Sequence, residues 1–306
     1  MIGAPRDPRK AGWRTGEIAL LVALGALAVI AWANAPEVPL SVGASLVTVG
    51  ILFAVAAAAL GEGQTGWRYW IRELLPIPVV PFVYLNLGRL IPLVNGNVYD
   101  PQLERLDRLL LGPEAQAALY ALPLPVWLAD LLTVAYSTFF FLPIVLLVAL
   151  ARRRDPLTGR AVSALIITFL VSYAGYFVVP AYGPRATVAK ERYATLPAGV
   201  VGAPIRAALD NWEKTKTDAF PSGHTMVTLA VLYCARRRLR PLYNVLLPVG
   251  TLLITATVLL TYHYVVDVLA AVPLMAGSVA LSAWIAGPVP SFRGVPHEAP
   301  PPTRVL

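Results

Sequence analysis

Apolar residues occur along the chain in long blocks that short polar links separate. Eight blocks approach the ~20 residues with which a helix crosses the hydrocarbon core of a bilayer, and they do not follow the periods typical of a soluble core. We therefore predict an all-α fold, a polytopic bundle of about eight transmembrane helices. Their approximate bounds are 18–34, 40–60, 69–94, 125–150, 161–180, 222–236, 242–262 and 264–286.

The first block follows a polar segment with four basic residues, as the apolar part of a secretory signal does. The block is long, however, residues 34–37 lack a small-x-small cleavage pattern, and a second block follows at once. We interpret the first two blocks as an anchored helical hairpin. The predicted organisation is a cytoplasmic basic tail (1–16), a transmembrane hairpin (17–68), a main membrane domain (69–286) and a disordered, proline-rich cytoplasmic tail (287–306).

Several polar groups fall inside the predicted spans, where contact with lipid would be costly. The block at 69–94 contains polar or helix-breaking residues that imply kinks packed against protein: Pro76, Pro78, Pro81, Asn86 and Arg89. Asp130 lies inside the block at 125–150. Such groups leave open the possibility that the chain is a lipid transporter or a non-catalytic lipid-binding membrane protein.

The composition agrees with a membrane protein. Of the 306 residues, 57% are hydrophobic and only 14% are charged, whereas soluble domains carry roughly 25% charged residues. The formal net charge of +8 is compatible with nucleic acid binding, but the basic residues cluster in the links between apolar blocks, so we expect no nucleic acid partner. The single cysteine, Cys234, excludes a disulfide framework and a cysteine metal site.

The basic residues also predict an orientation. When the eight helices are threaded in order, sixteen of the 25 Lys and Arg residues fall on one side, which the positive-inside rule makes cytoplasmic. Both termini are then cytoplasmic, and the segments 95–123 and 181–220 face outward. In the first of these, Leu103, Leu106 and Leu110 have helical spacing opposite charges, which predicts a helix on the membrane surface.

One histidine motif opens the block at 222–236 on the predicted outward side. In the segment 220–225, Ser222 can cap the helix, and Gly223 allows the backbone to approach a ligand closely. The free N–H groups of the first turn point outward with the positive end of the helix dipole. This is a candidate anion site, although a serine and a glycine here also fit a plain helix cap.

A second histidine motif opens the last block on the same side. His263 and Asp267 are four residues apart and are expected to share a helix face. The carboxylate can then accept a hydrogen bond from one imidazole nitrogen and leave the other nitrogen facing a substrate.

At these residues the chain resembles the type 2 phosphatidic acid phosphatase superfamily, whose motifs are Lys-x6-Arg-Pro, Pro-Ser-Gly-His and Ser-Arg-x5-His-x3-Asp. Residues 221–224 match the second motif in full. His263 and Asp267 match the third motif, but Ala256 and Thr257 stand where the family has Ser and Arg.

The first motif is not matched. Val178 and Arg185 hold its Lys and Arg spacing, and proline precedes Arg185 instead of following it. Residues 261–267, 219–222 and 106–112 look like the inositol phosphorylceramide synthase branch, and the Gly-His-Thr sequence is also similar to sphingomyelin synthases. The resemblance covers roughly residues 69–286.

The resemblance implies a phosphohistidine mechanism without a metal or another cofactor. His263 attacks phosphorus, Asp267 orients it, and His224 protonates the leaving oxygen. Phosphate oxygens are expected to be bound by Ser222, Gly223 and Arg185. Because Thr257 replaces an arginine, one cation is missing, and four basic residues of the outward loop are candidates to replace it: Lys190, Arg192, Lys214 and Lys216.

The expected substrate is a membrane lipid that carries a phosphoryl group, attacked on the outward face of the inner or plasma membrane. A site with fewer cations suits a singly charged phosphodiester, which favours head-group transfer to a polyol or lipid alcohol. The alternatives are a lipid phosphate phosphatase, with water as acceptor, and a serine hydrolase that uses Ser222. Four aromatic residues are expected to line the approach: Tyr182, Phe220, Tyr262 and Tyr264.

The orientation can be tested by labelling in a variant that lacks Cys234. A single cysteine introduced in the 181–220 loop should react with an impermeant maleimide in intact cells, whereas a cysteine beside Arg153 should react only after lysis. The reverse pattern would show that the histidine motifs face the cytoplasm.

Overall fold

A computed structural model describes residues 12–61, 65–213 and 215–286. Over these residues the chain forms fourteen α-helices and two short 3-10 turns, so the predicted all-helical bundle is confirmed. The helices are α1 (Thr15–Ala33), α2 (Leu40–Leu60), α3 (Gly66–Leu74), α4 (Pro76–Val94), α5 (Asp100–Leu111), α6 (Pro113–Ala121), α7 (Val126–Ser137), α8 (Leu142–Arg152), α9 (Thr158–Val178), α10 (Lys190–Thr195), α11 (Gly202–Trp212), α12 (Gly223–Arg238), α13 (Arg240–Leu259) and α14 (Val265–Ala286).

Six spans within the described residues are long and apolar enough to cross a bilayer, and a seventh results if the bent pair α6–α7 is counted as one span. The six are α1, α2, α3 with α4, α9, α13 and α14. The chain is therefore a multi-pass membrane protein. In two of the eight ranges for which we predicted a span, 125–150 and 222–236, the helices found differ from the prediction.

The predicted span at 125–150 is broken in two. Helix α7 ends at Ser137, a 3-10 turn covers Thr138–Phe140, and α8 begins at Leu142. Pro143 at the start of α8 explains the break, because proline has no N–H to donate and its ring clashes with the carbonyl four residues earlier. Helices α6 and α7 also meet at 99°, so the chain turns sharply on the side that carries the histidine motifs.

The predicted span at 222–236 is a helix of 16 residues, α12. At about 1.5 Å per residue it is shorter than the ~30 Å hydrocarbon core. It packs against α8, α9, α13 and α14, and most of its first three turns is buried. Helix α12 is thus the centre of the bundle rather than one of its lipid-facing walls.

Buried ion pairs connect the N-terminal hairpin to the rest of the bundle. Helix α1 packs against α2, α4 and α9. Arg14 donates to both carboxylate oxygens of Glu73, at 2.9 and 2.7 Å, and Arg72 forms a similar two-pronged pair with Glu17. Arg14, predicted to lie in the basic tail, is therefore part of the folded protein, whereas residues 1–11 and 287–306 lie outside the described residues.

The segment 100–111 forms a helix, α5, as the spacing of its leucines predicts, and its position on the membrane surface stays a prediction. Leu103 is buried, whereas Leu106 and Leu110 are exposed. The inward face instead carries Asp100 and Asp107 on either side of Leu103. The acidic side chains point inward because backbone N–H groups of other segments need acceptors there.

The buried pair of Arg72 and Glu17 gives a test of how the hairpin is held. Glu17→Gln should lower the free energy of unfolding by about 3–5 kcal/mol, because it leaves a buried guanidinium without its counter-charge. The double variant Glu17→Gln/Arg72→Met should lose less than the sum of the two single variants. The measurement is thermal or denaturant unfolding in one detergent.

The matched control is Arg108→Met, which removes an exposed pair with Glu104 and should cost less than about 1 kcal/mol. Equal losses for the buried and the exposed pair would contradict a docking role for the buried charges.

Candidate active site

The loop between α13 and α14 winds back over the end of α13 and presents His263. The backbone N–H groups of Tyr262 and His263 both donate to the carbonyl of Thr257, at 2.9 and 3.0 Å. Thr261 has a φ of 62°, in the left-handed region that reverses the chain direction. Thr257, at the position of the family arginine, therefore supports the histidine through its carbonyl, and its own side chain is buried against α13.

The imidazole of His263 has a defined orientation. Its Nδ1 lies 2.8 Å from the carbonyl oxygen of Ala219 and 3.4 Å from Oδ2 of Asp267. Because a carbonyl can only accept, Nδ1 carries the proton and Nε2 keeps its lone pair. Nε2 lies 3.3 Å from Nδ1 of His224, which then donates to it.

His263 and Asp267 do not share a helix face, although their spacing predicted that they would. His263 precedes α14 and lies in the turn, whereas Asp267 lies in the first turn of the helix. The Asp267 carboxylate accepts from the N–H of Tyr264 at 2.8 Å, so it closes the turn on itself. The contact between His263 and Asp267 is therefore made across a helix start, which fixes the backbone of both residues.

His224 lies in the first turn of α12 and is held between aromatic rings. The ring of Tyr136 stacks on it with centroids 4.5 Å apart, and the ring of Phe139 lies at 4.3 Å. Tyr136 also stacks on Tyr262 at 4.3 Å. Phe139 belongs to the 3-10 turn that breaks the predicted 125–150 helix, so the break places a side chain against the site.

Ser222 caps α12 as predicted from the sequence. Its hydroxyl oxygen accepts from the N–H and the hydroxyl of Thr225, at 3.2 and 3.0 Å, and the side chain is fully buried. The backbone of Gly223 is closely approached by another side chain of the protein, because a Cβ on this residue would collide with the Tyr176 hydroxyl. The roles of both residues in phosphate binding stay predictions.

Arg185 supplies the cation of the site. It lies in the 3-10 turn Pro184–Ala186, and its N–H donates to the carbonyl of Thr261 at 2.8 Å. Its guanidinium lies 4.5 Å from the ring centroid of Tyr262, and its Nη1 lies 2.7 Å from Oε2 of Glu213. Burial raises the pKa of the Glu213 carboxyl, and the guanidinium opposes that rise.

A small cavity lies between these groups. It offers about 10 Å³ to the centre of a water molecule, which is room for about one water. A phosphoryl group is larger, so its binding requires the walls to move apart. The lining residues are Tyr136, Arg185, Glu213, Asp218, Ala219, His224, Tyr262 and His263.

Other predicted lining residues lie elsewhere. Tyr264 is fully buried, and its hydroxyl contacts Asp100 and Thr187 instead of the cavity. Tyr182 is 40% exposed. Phe220 is half-buried beside the cavity-lining Ala219, Lys190 and Lys216 are exposed, Arg192 donates to the carbonyls of Leu119 and Leu259, and Lys214 lies outside the described residues.

The acidic residues that organise this end of the bundle were not predicted from the sequence. Asp107 accepts from the N–H groups of Val265 and Val266, at 2.9 and 2.7 Å, and so caps α14 two residues after His263. Asp100 accepts from the N–H groups of Tyr182 and Gly183, both at 2.8 Å. The sequence does contain a pattern that indicates the two aspartates, because Asp100, Leu103 and Asp107 fall on one helix face. Glu213 and Asp218 carried no such signal.

Within the described residues, no group of three or more His, Cys, Asp or Glu side chains is arranged to hold a metal ion. The mechanism without metal or cofactor stays a prediction.

Comparison with known proteins gives two findings. A family model described as the PAP2 superfamily matches residues 101–281, a range that contains both histidine motifs and begins with α5. The chain is also similar to a PA-phosphatase related-family protein of Dictyostelium discoideum, with 25% identity over 257 residues, covering 73% of this chain and 44% of that protein. The chain thus spans less than half the length of this curated relative. No solved structure matches the chain.

The cap that Asp107 places on α14 can be tested by stability. Asp107→Asn should cost about 1–3 kcal/mol, because an amide cannot satisfy both buried N–H groups and brings donors of its own. The measurement is unfolding in detergent, with Glu104→Gln on the exposed face of α5 as the matched control. Indistinguishable losses for the two variants would contradict the capping role.

Proposed function

The chain belongs to the PAP2 superfamily, and on that premise we propose that it is a lipid phosphotransferase or phosphatase that works through a phosphohistidine on His263. The observation that carries the proposal is the distance of 3.3 Å between Nε2 of His263 and Nδ1 of His224. A nucleophile and a proton donor side by side at one cavity are the minimum that the reaction needs.

The division of labour follows from the two nitrogens of His263. Nε2 attacks phosphorus while Nδ1 keeps its proton, so the ring becomes positively charged. The Ala219 carbonyl and the Asp267 carboxylate both face Nδ1–H and stabilise that charge. His224 acts in its cationic form, which the negative charge of a bound phosphoryl group stabilises: it gives one proton to the leaving oxygen, and the neutral imidazole then takes a proton from the acceptor in the second half of the reaction.

The outward-facing location is part of the proposal. Arg185, His224 and His263 lie at one end of the bundle, near the end of α9, the start of α12 and the start of α14. The arginine-rich links at 152–154 and 236–238 lie at the opposite ends of their helices. The positive-inside rule makes the arginine end cytoplasmic.

Head-group transfer to an alcohol is the form of the reaction that we favour. The cavity-lining residues provide one guanidinium, which suits a singly charged phosphodiester better than a dianionic monoester. Tyr136 and Tyr262 wall the cavity and limit the access of water. The resemblance to the inositol phosphorylceramide synthase branch supports the same choice.

Hydrolysis of a lipid phosphate is the second candidate. The Dictyostelium relative is named as a PA-phosphatase related-family protein, and water is the smallest acceptor for a small cavity. A transport function has less support. Asp130 accepts from the N–H of Gly199 at 2.8 Å, and the Asn86 amide donates to the carbonyl of Phe82, so these polar groups are used within the fold.

The deciding experiment measures the products that purified protein forms from a phospholipid or a lipid phosphate while a polyol such as inositol is titrated. We expect new phospholipid to increase at the expense of free phosphate and free phosphoalcohol. EDTA should have no effect, and vanadate should inhibit. If water is the sole acceptor for every alcohol while monoesters are cleaved rapidly, the phosphatase form is correct.

Histidine variants serve as controls for the mechanism. His263→Ala should abolish turnover, and Asp267→Asn should lower it by about 10³-fold or more. His224→Ala should matter least for substrates whose leaving group needs no proton. His297→Ala, in the third histidine of the chain, should retain full activity. Full activity of His263→Ala would exclude the phosphohistidine.

A further inference from the structure

The charges around the cavity are unusual for a site that binds an anion. Among the described lining residues, the guanidinium of Arg185 faces two carboxylates, those of Glu213 and Asp218. Glu213 is 2.7 Å from Nη1 of Arg185 and is almost completely buried. A carboxylate therefore holds the cation that a phosphoryl oxygen would need, and the charge of the cation is already balanced.

Both carboxylates are fixed by tyrosine hydroxyls. Tyr136 donates to Oε1 of Glu213 at 3.1 Å, and the same tyrosine stacks on His224. Tyr84 donates to Oδ2 of Asp218 at 2.6 Å. The negative groups are therefore held in place relative to the histidine pair and are part of the construction of the site.

Fixed carboxylates discriminate between the two classes of phosphate ester. A phosphomonoester carries up to two negative charges near pH 7 and a phosphodiester carries one, so nearby carboxylates repel the monoester more strongly. Hydroxyl groups have the opposite preference, because each can donate a strong hydrogen bond to a carboxylate. The cavity walls thus favour a singly charged ester accompanied by hydroxyl groups.

We propose that Glu213 and Asp218 are specificity residues, which disfavour phosphomonoesters and accept hydrogen bonds from the hydroxyl groups of a polyol. This inference rests on the proposed function and deepens it by naming the substrate chemistry. The polyol is either the head group of the donor lipid or the free acceptor, and both present the same hydroxyl groups to the carboxylates.

The test compares kcat/KM for phosphatidic acid and for phosphatidylinositol in mixed micelles. Glu213→Gln should raise the monoester-to-diester ratio by about tenfold, because it removes one negative charge and keeps the shape of the side chain. The matched control is Asp210→Asn, whose carboxylate lies 3.9 Å from the same guanidinium but is 43% exposed. Its ratio should change by less than about twofold, since solvent screens its charge.

Asp218→Asn provides a second variant. It should also raise the monoester-to-diester ratio of kcat/KM, and it leaves the pair of Arg185 and Glu213 intact. The two sources of the polyol are distinguished by which KM rises in the variants. A raised KM for phosphatidylinositol assigns the hydroxyl contacts to the donor head group, and a raised KM for free inositol assigns them to the acceptor.

Equal losses on both ester classes, in both variants, would show that the carboxylates only position neighbouring groups, and would overturn the inference. In that case the proposed function stands, because wild-type turnover of either ester remains. If the wild-type protein turns over neither ester class, so that there is no activity for vanadate to inhibit, the proposed function fails and the specificity inference fails with it.

Discussion

A single buried residue, Asp267, joins the two segments that carry the histidines. Its Oδ2 accepts from the N–H of Tyr264 and lies 3.4 Å from Nδ1 of His263, while its backbone carbonyl accepts from the N–H of Ser222 at 3.2 Å. A buried carboxylate without such partners would be costly. The Asp267 carboxylate thus fixes the α13–α14 turn and its backbone carbonyl holds the start of α12, which together bring the two imidazoles into contact.

Much of the fold could be predicted because the bilayer imposes a simple rule of length and apolarity on each span. The rule fails for helices that do not meet lipid. Helix α12 is enclosed by other helices and can be short, and Pro143 ends one helix and starts another where hydropathy shows a continuous block. Helix α5 shows a different limit, since the spacing of its leucines predicted a helix but not that Asp100 and Asp107 face the protein interior.

The candidate site was predictable where chemistry needs a fixed local spacing. The residues Ser222, His224, His263 and Asp267 belong to short motifs, and the structure brings the two histidines together. Glu213 reaches the cavity from the end of a short helix in a loop of about 40 residues, and Tyr136 reaches it from a different helix. No local pattern records such contacts, because they depend on how distant segments pack.

The length of α12 has a consequence for how a lipid reaches the site. If the arginines at its last turn lie at one membrane surface, a helix of 16 residues ends about 6 Å short of the opposite boundary of a ~30 Å hydrocarbon core. His224, in the first turn, then lies below the level of the lipid head groups. Under the proposed function, a lipid can deliver its phosphoryl group while both acyl chains remain in the bilayer. The concentration that governs the reaction is then the mole fraction of lipid in the membrane plane, not its amount per volume of solution.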